Sequence, residues 1–420
     1  VPAHEATTRN LGAAYPLVVE SGLGHEGVVI GHDLLGGTFV FDPFRLYAQG
    51  AVSNPNLIVF GQIGRGKSAL VKTYLWRQAV FGRRAWVVDP KGEYLGLARA
   101  WGVRPVALRP GGDIRLNPLD PGPGSDEVVE EGDGRRADRR QSELLASLAS
   151  ACLNRDLLPR ERAAVDLALV AAAAGRGPVT LPAVVDALLE PTAALARSIR
   201  TDAATLLEDG RDVALELRRL VHGDLRGMFD GPTTPGLDLD GPLVVLDLSA
   251  LYSSPALGVL MACATAWLQA ALARRARQAG GGPPVLVVVD EAWAILANLG
   301  VARWLQASWK LSRAFGVANV AVLHRLSDLG SVGAAGSEQV GLAQGLLADS
   351  ECRVIYAQSP GEVVAAADLL SLSATEAELV PQLRRGVGLW KVGGRSFLVR
   401  HLVAPAERAL VDTDAAMRDP

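Results

Sequence analysis

Sulfur is scarce in this chain. Its 420 residues contain three cysteines, Cys152, Cys263 and Cys352, and three methionines. The cysteines lie far apart, so they form neither a paired metal-binding motif nor a disulfide framework, and a reduced compartment suits them. No signal-peptide pattern is visible in these residues either. Nor is there an excess of charge of one sign: 42 Lys and Arg against 45 Asp and Glu leave a net charge of -3. That excludes wholesale coating by nucleic acid but leaves room for a local basic patch. A membrane-length apolar run is missing too. The longest candidate, residues 256–273, contains Gln269 and runs into Arg274-Arg275-Ala276-Arg277, which reads as a buried helix. Apolar residues are plentiful, at 49%. With this length they predict a large core and two or three domains. The chain opens Val-Pro-Ala-His, as a piece excised from a longer protein would.

Glycine is the residue that organises what remains. Gly61-Gln62-Ile63-Gly64-Arg65-Gly66-Lys67-Ser68 follows the apolar run Leu57-Ile58-Val59-Phe60 and precedes a helical pattern over 69–81. Strand, glycine loop and helix in that order are what a phosphate-binding loop needs. Successive backbone N–H groups and the helix N-terminus can surround phosphate oxygens. The nucleotide-binding candidates are therefore Gly61, Gln62, Ile63, Gly64, Arg65, Gly66, Lys67, Ser68 and Ala69. Lys67 is placed to neutralise the β and γ phosphates, and Ser68 to ligate magnesium. A glycine-rich turn beside a structural lysine is the competing explanation.

A second motif weighs against that explanation. Val285-Leu286-Val287-Val288-Val289 is a continuous apolar run, the signature of a strand covered on both faces. It ends in Asp290-Glu291-Ala292-Trp293. Asp290 is the candidate magnesium partner, and Glu291 the candidate base that orients or deprotonates the attacking water. A chance helix cap is the alternative. Trp86-Val87-Val88-Asp89 is another strand, followed by Pro90-Lys91-Gly92-Glu93-Tyr94. Ligands of open α/β sheets sit at the carboxyl ends of strands, so Asp89 and Glu93 fall near the site. Glu93 is a candidate for orienting the same water, or else a surface turn carboxylate.

The rest of the chain divides around these motifs. Residues 1–25 read as a tail or edge element. Residues 26–119 form the first part of an α/β domain, opening with short strands at 28–31 and 38–41 around Gly36-Gly37. Residues 120–235 begin with a charged, solvated loop carrying Arg135, Arg136, Arg139 and Arg140. From Gln141 the period becomes helical, as an inserted all-helical subdomain would be. Thr180-Leu181-Pro182 opens one of its helices. Residues 236–403 form the second part. It holds strands at 243–247, 285–289, 317–323 and 353–358, and a hairpin closing at Gly393-Gly394. Helix 300–313 carries Arg303, Trp304, Trp309 and Arg313, and strand 317–323 ends in His324-Arg325. Residues 404–420 read as a tail.

Taken together, residues 61–68, 89–94 and 290–293, the inserted helices and the closing hairpin resemble one group. They are similar to the ATPase domains of type IV secretion and conjugative transfer proteins, within the FtsK/HerA-like superfamily of P-loop ATPases. The pattern is most similar to the large secretion ATPase of the VirB/TraC type, in its C-terminal part, and covers about residues 26–403. The resemblance implies a RecA-like P-loop NTPase core, with a central mostly parallel sheet and the helical subdomain inserted into it. It implies ATP and Mg2+ as cofactors, and a homo-hexamer in the working state, the isolated piece being a monomer. Other secretion components are the expected partners. The expected location is the cytoplasm, at the inner face of the membrane and peripheral to a membrane complex. In such a ring a neighbour supplies an arginine to the γ phosphate. Arg313 matches that role by position, with Arg303 and Arg353 as weaker candidates, although Arg313 could equally be a helix C-terminal cation. Relatives usually carry glutamine at the end of the next strand. Here His324 stands there, still able to donate a hydrogen bond to the γ phosphate. Two other functions stay open. One is a DNA translocase or coupling protein, using residues 135–140 and the glycine-rich segment 330–341, with DNA as its partner. The other is a nucleotide-binding scaffold with slight hydrolysis.

Overall fold

The computed structural model describes residues 22–411 apart from 121–130, 176, 224, 255, 278–281, 297–301, 304, 307–308, 311–314, 325–340, 342–344 and 348. Of 131–138, 273–277 and 365 only the backbone is described.

Among the described residues eleven strands form one sheet in the order β2-β1-β11-β10-β9-β3-β8-β7-β4-β6-β5. They span β1 Val28–Asp33, β2 Thr38–Phe41, β3 Leu57–Phe60, β4 Arg84–Asp89, β5 Val106–Ala107, β6 Leu243–Asp247, β7 Val285–Val289, β8 Val317–Leu323, β9 Cys352–Ile355, β10 Val387–Val392 and β11 Arg395–His401. From β9 to β5 every neighbour is parallel. From β9 back to β2 every neighbour is antiparallel. The parallel strands are mainly apolar because both faces are covered. Side chains of alternate residues enter different cores, as the two-residue period of a strand dictates. Ile58, Phe60, Trp86, Val88, Val287 and Val289 point to one face. Leu57, Val59, Val87, Leu286, Val288 and Val320 point to the other.

The helices follow the chain. Asp42 caps a short helix α1 Pro43–Ala48 by accepting the amides of Phe44 and Arg45. α2 Lys67–Gln78 leaves the phosphate loop, and α3 Leu95–Ala100 follows β4. The inserted helices are α4 Glu131–Leu153, α5 Pro159–Ala173, α6 Leu181–Leu189, α7 Ala193–Ser198 and α8 Ala203–His222. α4 begins about ten residues before the helical period emerges in the sequence, within the segment expected to be a loop. The hydroxyl of Thr180 caps α6, with proline in its first turn. Leu145, Leu148, Val184, Leu217 and Leu220 of these helices share one apolar cluster with Trp267 and Leu268 of α9 Leu257–Arg277. The insert is thus continuous with the core on one face of the sheet.

The antiparallel edge is locked by aromatics. Phe39 lies 5.1 Å from both Trp390 and Phe397, ring centre to ring centre, and Phe41 lies 5.2 Å from Trp390. Tilted contacts of this kind add to the area buried. Gly31 permits the approach of β1 to β11, since a Cβ there would meet the Arg400 carbonyl at 1.9 Å. Beyond β11 the described chain continues to Val411. Glu407 accepts from Arg77 Nε at 2.7 Å, and a short helix Arg408–Val411 follows. Arg77 also donates to the carbonyls of Val29 and Leu402, both at 2.6 Å, tying α2 to the hairpin edge. The three thiols are buried or half-buried, and burial pushes Cys152 and Cys352 up to about 12.

Candidate nucleotide site at the strand ends

The phosphate loop is shaped by glycine where side chains cannot fit. A Cβ on Gly61 would lie 2.6 Å from that of Tyr356, whose ring backs the loop. Gly66 has φ +114° and precedes α2 with no side-chain cap. The leading amides of that helix are therefore left to an outside acceptor, the usual reason an anion binds there. Space above Gly64 is open. Arg65 presents its carbonyl to the Gly386 amide at 3.1 Å, so the hairpin edge braces the loop. Lys67 is buried, and its ammonium donates to the carbonyls of Gly61 and Gln62, the latter at 3.1 Å. Burial lowers its pKa to about 8, against the opposing charges of Asp290, Glu291 and Glu93. Ser68 and Ala69 follow, half-buried, on the first turn. Gln62 is half-buried and Ile63 lies exposed.

Opposite the loop stand the carboxylates. β8 lies between β3 and β7, so the end of β8 falls between Gly61 and Asp290. Asp290 is buried; burial, then the charges of Glu93, Glu291 and Asp89, raises its pKa to about 7. Its Oδ1 accepts the Glu291 amide at 2.9 Å. Glu291 is a non-glycine residue at φ +52°, a sparsely populated conformation that turns its side chain back into the site. It is 1% exposed. Its carboxylate is contacted by the Lys91 ammonium, by Nε2 of His324 and by the indole N–H of Trp293. Burial alone would raise this carboxyl, but those donors outweigh it and bring the pKa to about 2. Gln358 donates to the His324 carbonyl at 3.2 Å. Among the described residues, Nδ1 of His324 and Oε1 of Gln358 are buried without hydrogen-bond partners.

The turn after β4 supplies the lysine. Asp89 is fully buried and accepts three backbone amides, from Lys91 at 3.2 Å, Glu93 at 3.1 Å and Tyr94 at 2.8 Å. Burial still raises its pKa to about 6. Gly92 closes the turn at φ +72°, where a Cβ would press on Ser249 at 3.3 Å. Lys91 is thereby directed to Glu291, and Glu93 to Lys72, whose ammonium lies 3.4 Å away. The side chain in contact with Glu291 is thus Lys91, whereas Glu93 acts on Asp290 only through its charge. Lys91, Lys72 and Trp293 escaped the sequence reading. Lys91 stands at a strand end, the signal that picked out Asp89. Lys72 has the spacing of an ordinary helix lysine, and nothing in the sequence marks it as buried.

The arginine candidates fare unequally. Arg313 lies outside the described residues, as do 330–340 and the side chains of 135–138. Arg353 is committed to the carbonyls of Ser350, Leu370 and Leu347 at 2.8–3.1 Å, a structural role. Arg303 lies 3.1 Å from Asp156 of the helical insert. Among the described residues no cluster of three or more His, Cys, Asp or Glu could hold a metal unaided. Magnesium ordinarily takes one or two protein oxygens and completes its shell with phosphates and water, so Ser68 and Asp290 fit that ion.

A mostly parallel sheet flanked by helices, with further helices inserted, defines this chain as an α/β protein with a RecA-like P-loop NTPase core. No protein-family profile matches it, and no curated protein does. Solved structures do. VirB4 of Thermoanaerobacter pseudethanolicus is similar at 22% identity and TM-score 0.71, over 92% of this chain and 100% of that one. The unbound bacterial conjugative coupling protein TrwBdeltaN70 gives 18% identity and TM-score 0.56, over 91% of each chain. The plasmid coupling protein TrwB in complex with ADP and Mg2+ gives 19% and 0.57, over 91% and 90%. At these identities the likeness is one of fold. Among the described residues no helix is long and apolar enough to cross a membrane.

Proposed function

We propose that the protein is a Mg2+-dependent ATP hydrolase that energises type IV secretion or conjugative transfer, as a ring-forming motor at the inner face of the membrane. The observation that carries this reading is the convergence of Lys67 and the Asp290-Glu291 pair at strand ends one strand apart, close enough that both carboxylates act on the Lys67 charge. The likeness in fold to VirB4 supports the secretion setting.

Lys67 and the amides of residues 61–69 bind the phosphates. Ser68 and Asp290 would hold Mg2+, which when bound would supply charge neutralisation at the phosphates. Glu291 accepts the proton of the attacking water. Glu93 sets the charge around Asp290, and His324 donates toward the terminal phosphate. Arg313 of a neighbouring subunit completes the site, so that turnover requires assembly.

Steady-state ATPase activity measured against protein concentration tests this reading. Specific activity should rise with concentration in the wild type and stay flat and low in Arg313→Ala. Linear, unimpaired turnover in the variant would remove the intersubunit arginine. The likeness to TrwB supports a second reading, a DNA translocase or coupling protein. Salt-sensitive stimulation of the ATPase by DNA would favour it.

A further inference from the structure

Lys91 has no part in the hydrolysis just set out, yet its ammonium makes the ion pair that occupies Glu291. A base that takes a proton from water needs a free lone pair facing that water. Glu291 has most of its acceptor capacity taken, since Lys91 and His324 both contact one carboxylate oxygen and the Trp293 indole N–H donates to the other, three of about four lone-pair sites. The Glu291 side chain is 2% exposed and that of Lys91 21%, so Lys91 is the more accessible partner of the pair. Its reach is fixed by the turn beneath it, where Asp89 holds three amides and Gly92 permits the bend. The ammonium also stands 3.2 Å from Nε2 of His324 and 5.4 Å from the centre of the Tyr252 ring. Its charge also acts on Lys67, lowering that group's pKa.

We propose that Lys91 is a positioning residue that holds Glu291 idle until a terminal phosphate competes for its ammonium. Resting on the ATP-hydrolase reading, this makes the site a discriminator between nucleoside triphosphate and diphosphate. A γ phosphate, with up to two negative charges, draws Lys91 off the carboxylate, which frees a lone pair for water and removes the cation that holds down its basicity. ADP lacks that group and leaves the lock closed.

The test uses the full chain and two fluorescent probes, mant-ADP and mant-ATPγS, with Mg2+. Lys91→Met should leave mant-ADP affinity within about twofold and weaken mant-ATPγS by about tenfold, the worth of one charge-assisted contact. Lys91→Arg, which keeps the charge, should recover part of the preference. In the unmodified chain, unlabelled ATPγS but not ADP should change Trp293 emission, read by difference against Trp293→Phe. That signal decides the matter alone if Lys91→Met does not fold. Equal shifts of both affinities, no shift of either, or a Trp293 response to ADP equal to that for ATPγS would overturn the lock. A wild type that binds neither nucleotide removes the ATPase reading along with it. A wild type that binds both while Lys91→Met keeps their ratio removes the lock alone.

Discussion

The phosphate-loop side of the site is made of backbone, and the carboxylate side of side chains. On the first side, Gly61, Gly64 and Gly66 shape the chain, and Lys67 rests on carbonyls of its own loop. On the second, Glu291 is set by contacts from three other places: the turn after β4, the end of β8 and Trp293. A backbone site needs its glycines and little else. A side-chain site depends on every partner, because each buried charge left unpaired is costly. The two sides should therefore fail differently.

Lys67→Ala should have the largest effect on the loop side. It removes the charge but not the cradle, so nucleotide affinity should fall roughly 10- to 100-fold, measured by isothermal titration calorimetry, with the fold intact. Affinity unchanged in this variant would mean the loop binds nothing through its lysine. Gly61→Ala attacks the cradle itself. Its methyl group would meet Tyr356 within 2.6 Å, and the crowding should lower stability by about 1–3 kcal/mol in denaturant titrations. An unchanged midpoint would show that the loop has room to give.

The smallest effect sharpens the comparison from behind the loop. His401 on β11 lies 2.8 Å from the Thr73 hydroxyl of α2, the helix that carries the loop. Burial, then the charge of Arg77, lowers its pKa to about 4. The unfolded chain binds this proton near pH 6.5 and the folded chain does not, so stability is fully present above that pH. It falls as pH drops toward 4, by on the order of 1–3 kcal/mol. His401→Gln should flatten that limb of the thermal midpoint against pH. An equally steep limb in the variant would assign the acid sensitivity to other groups.

The two sides were also unequally legible in the sequence. Glycine spacing between an apolar run and a helix determines loop geometry locally, so residues 61–69 could be read directly. The same holds for β7, whose continuous apolar run announced a strand covered on both faces. The partners of Glu291 were hidden, because Lys91 and Glu291 are 200 positions apart and meet only through the parallel pairing of β4 with β7. Glu93 and Lys91 were equally placed by sequence, and only the turn held by Asp89 and Gly92 separates their directions. The early start of α4 was obscured by a charged stretch whose composition reads as solvated loop.

Single-turnover hydrolysis, with protein in excess over ATP and Mg2+ present, tests the central claim most directly. Wild type and Glu291→Gln should bind ATP with the same affinity. The wild type should convert it to ADP, and the variant should leave it intact, slower by roughly 10²- to 10⁴-fold. Equal rates in the two proteins, or bound ATP left intact by the wild type at concentrations that allow assembly, would contradict the assignment of Glu291 as the base.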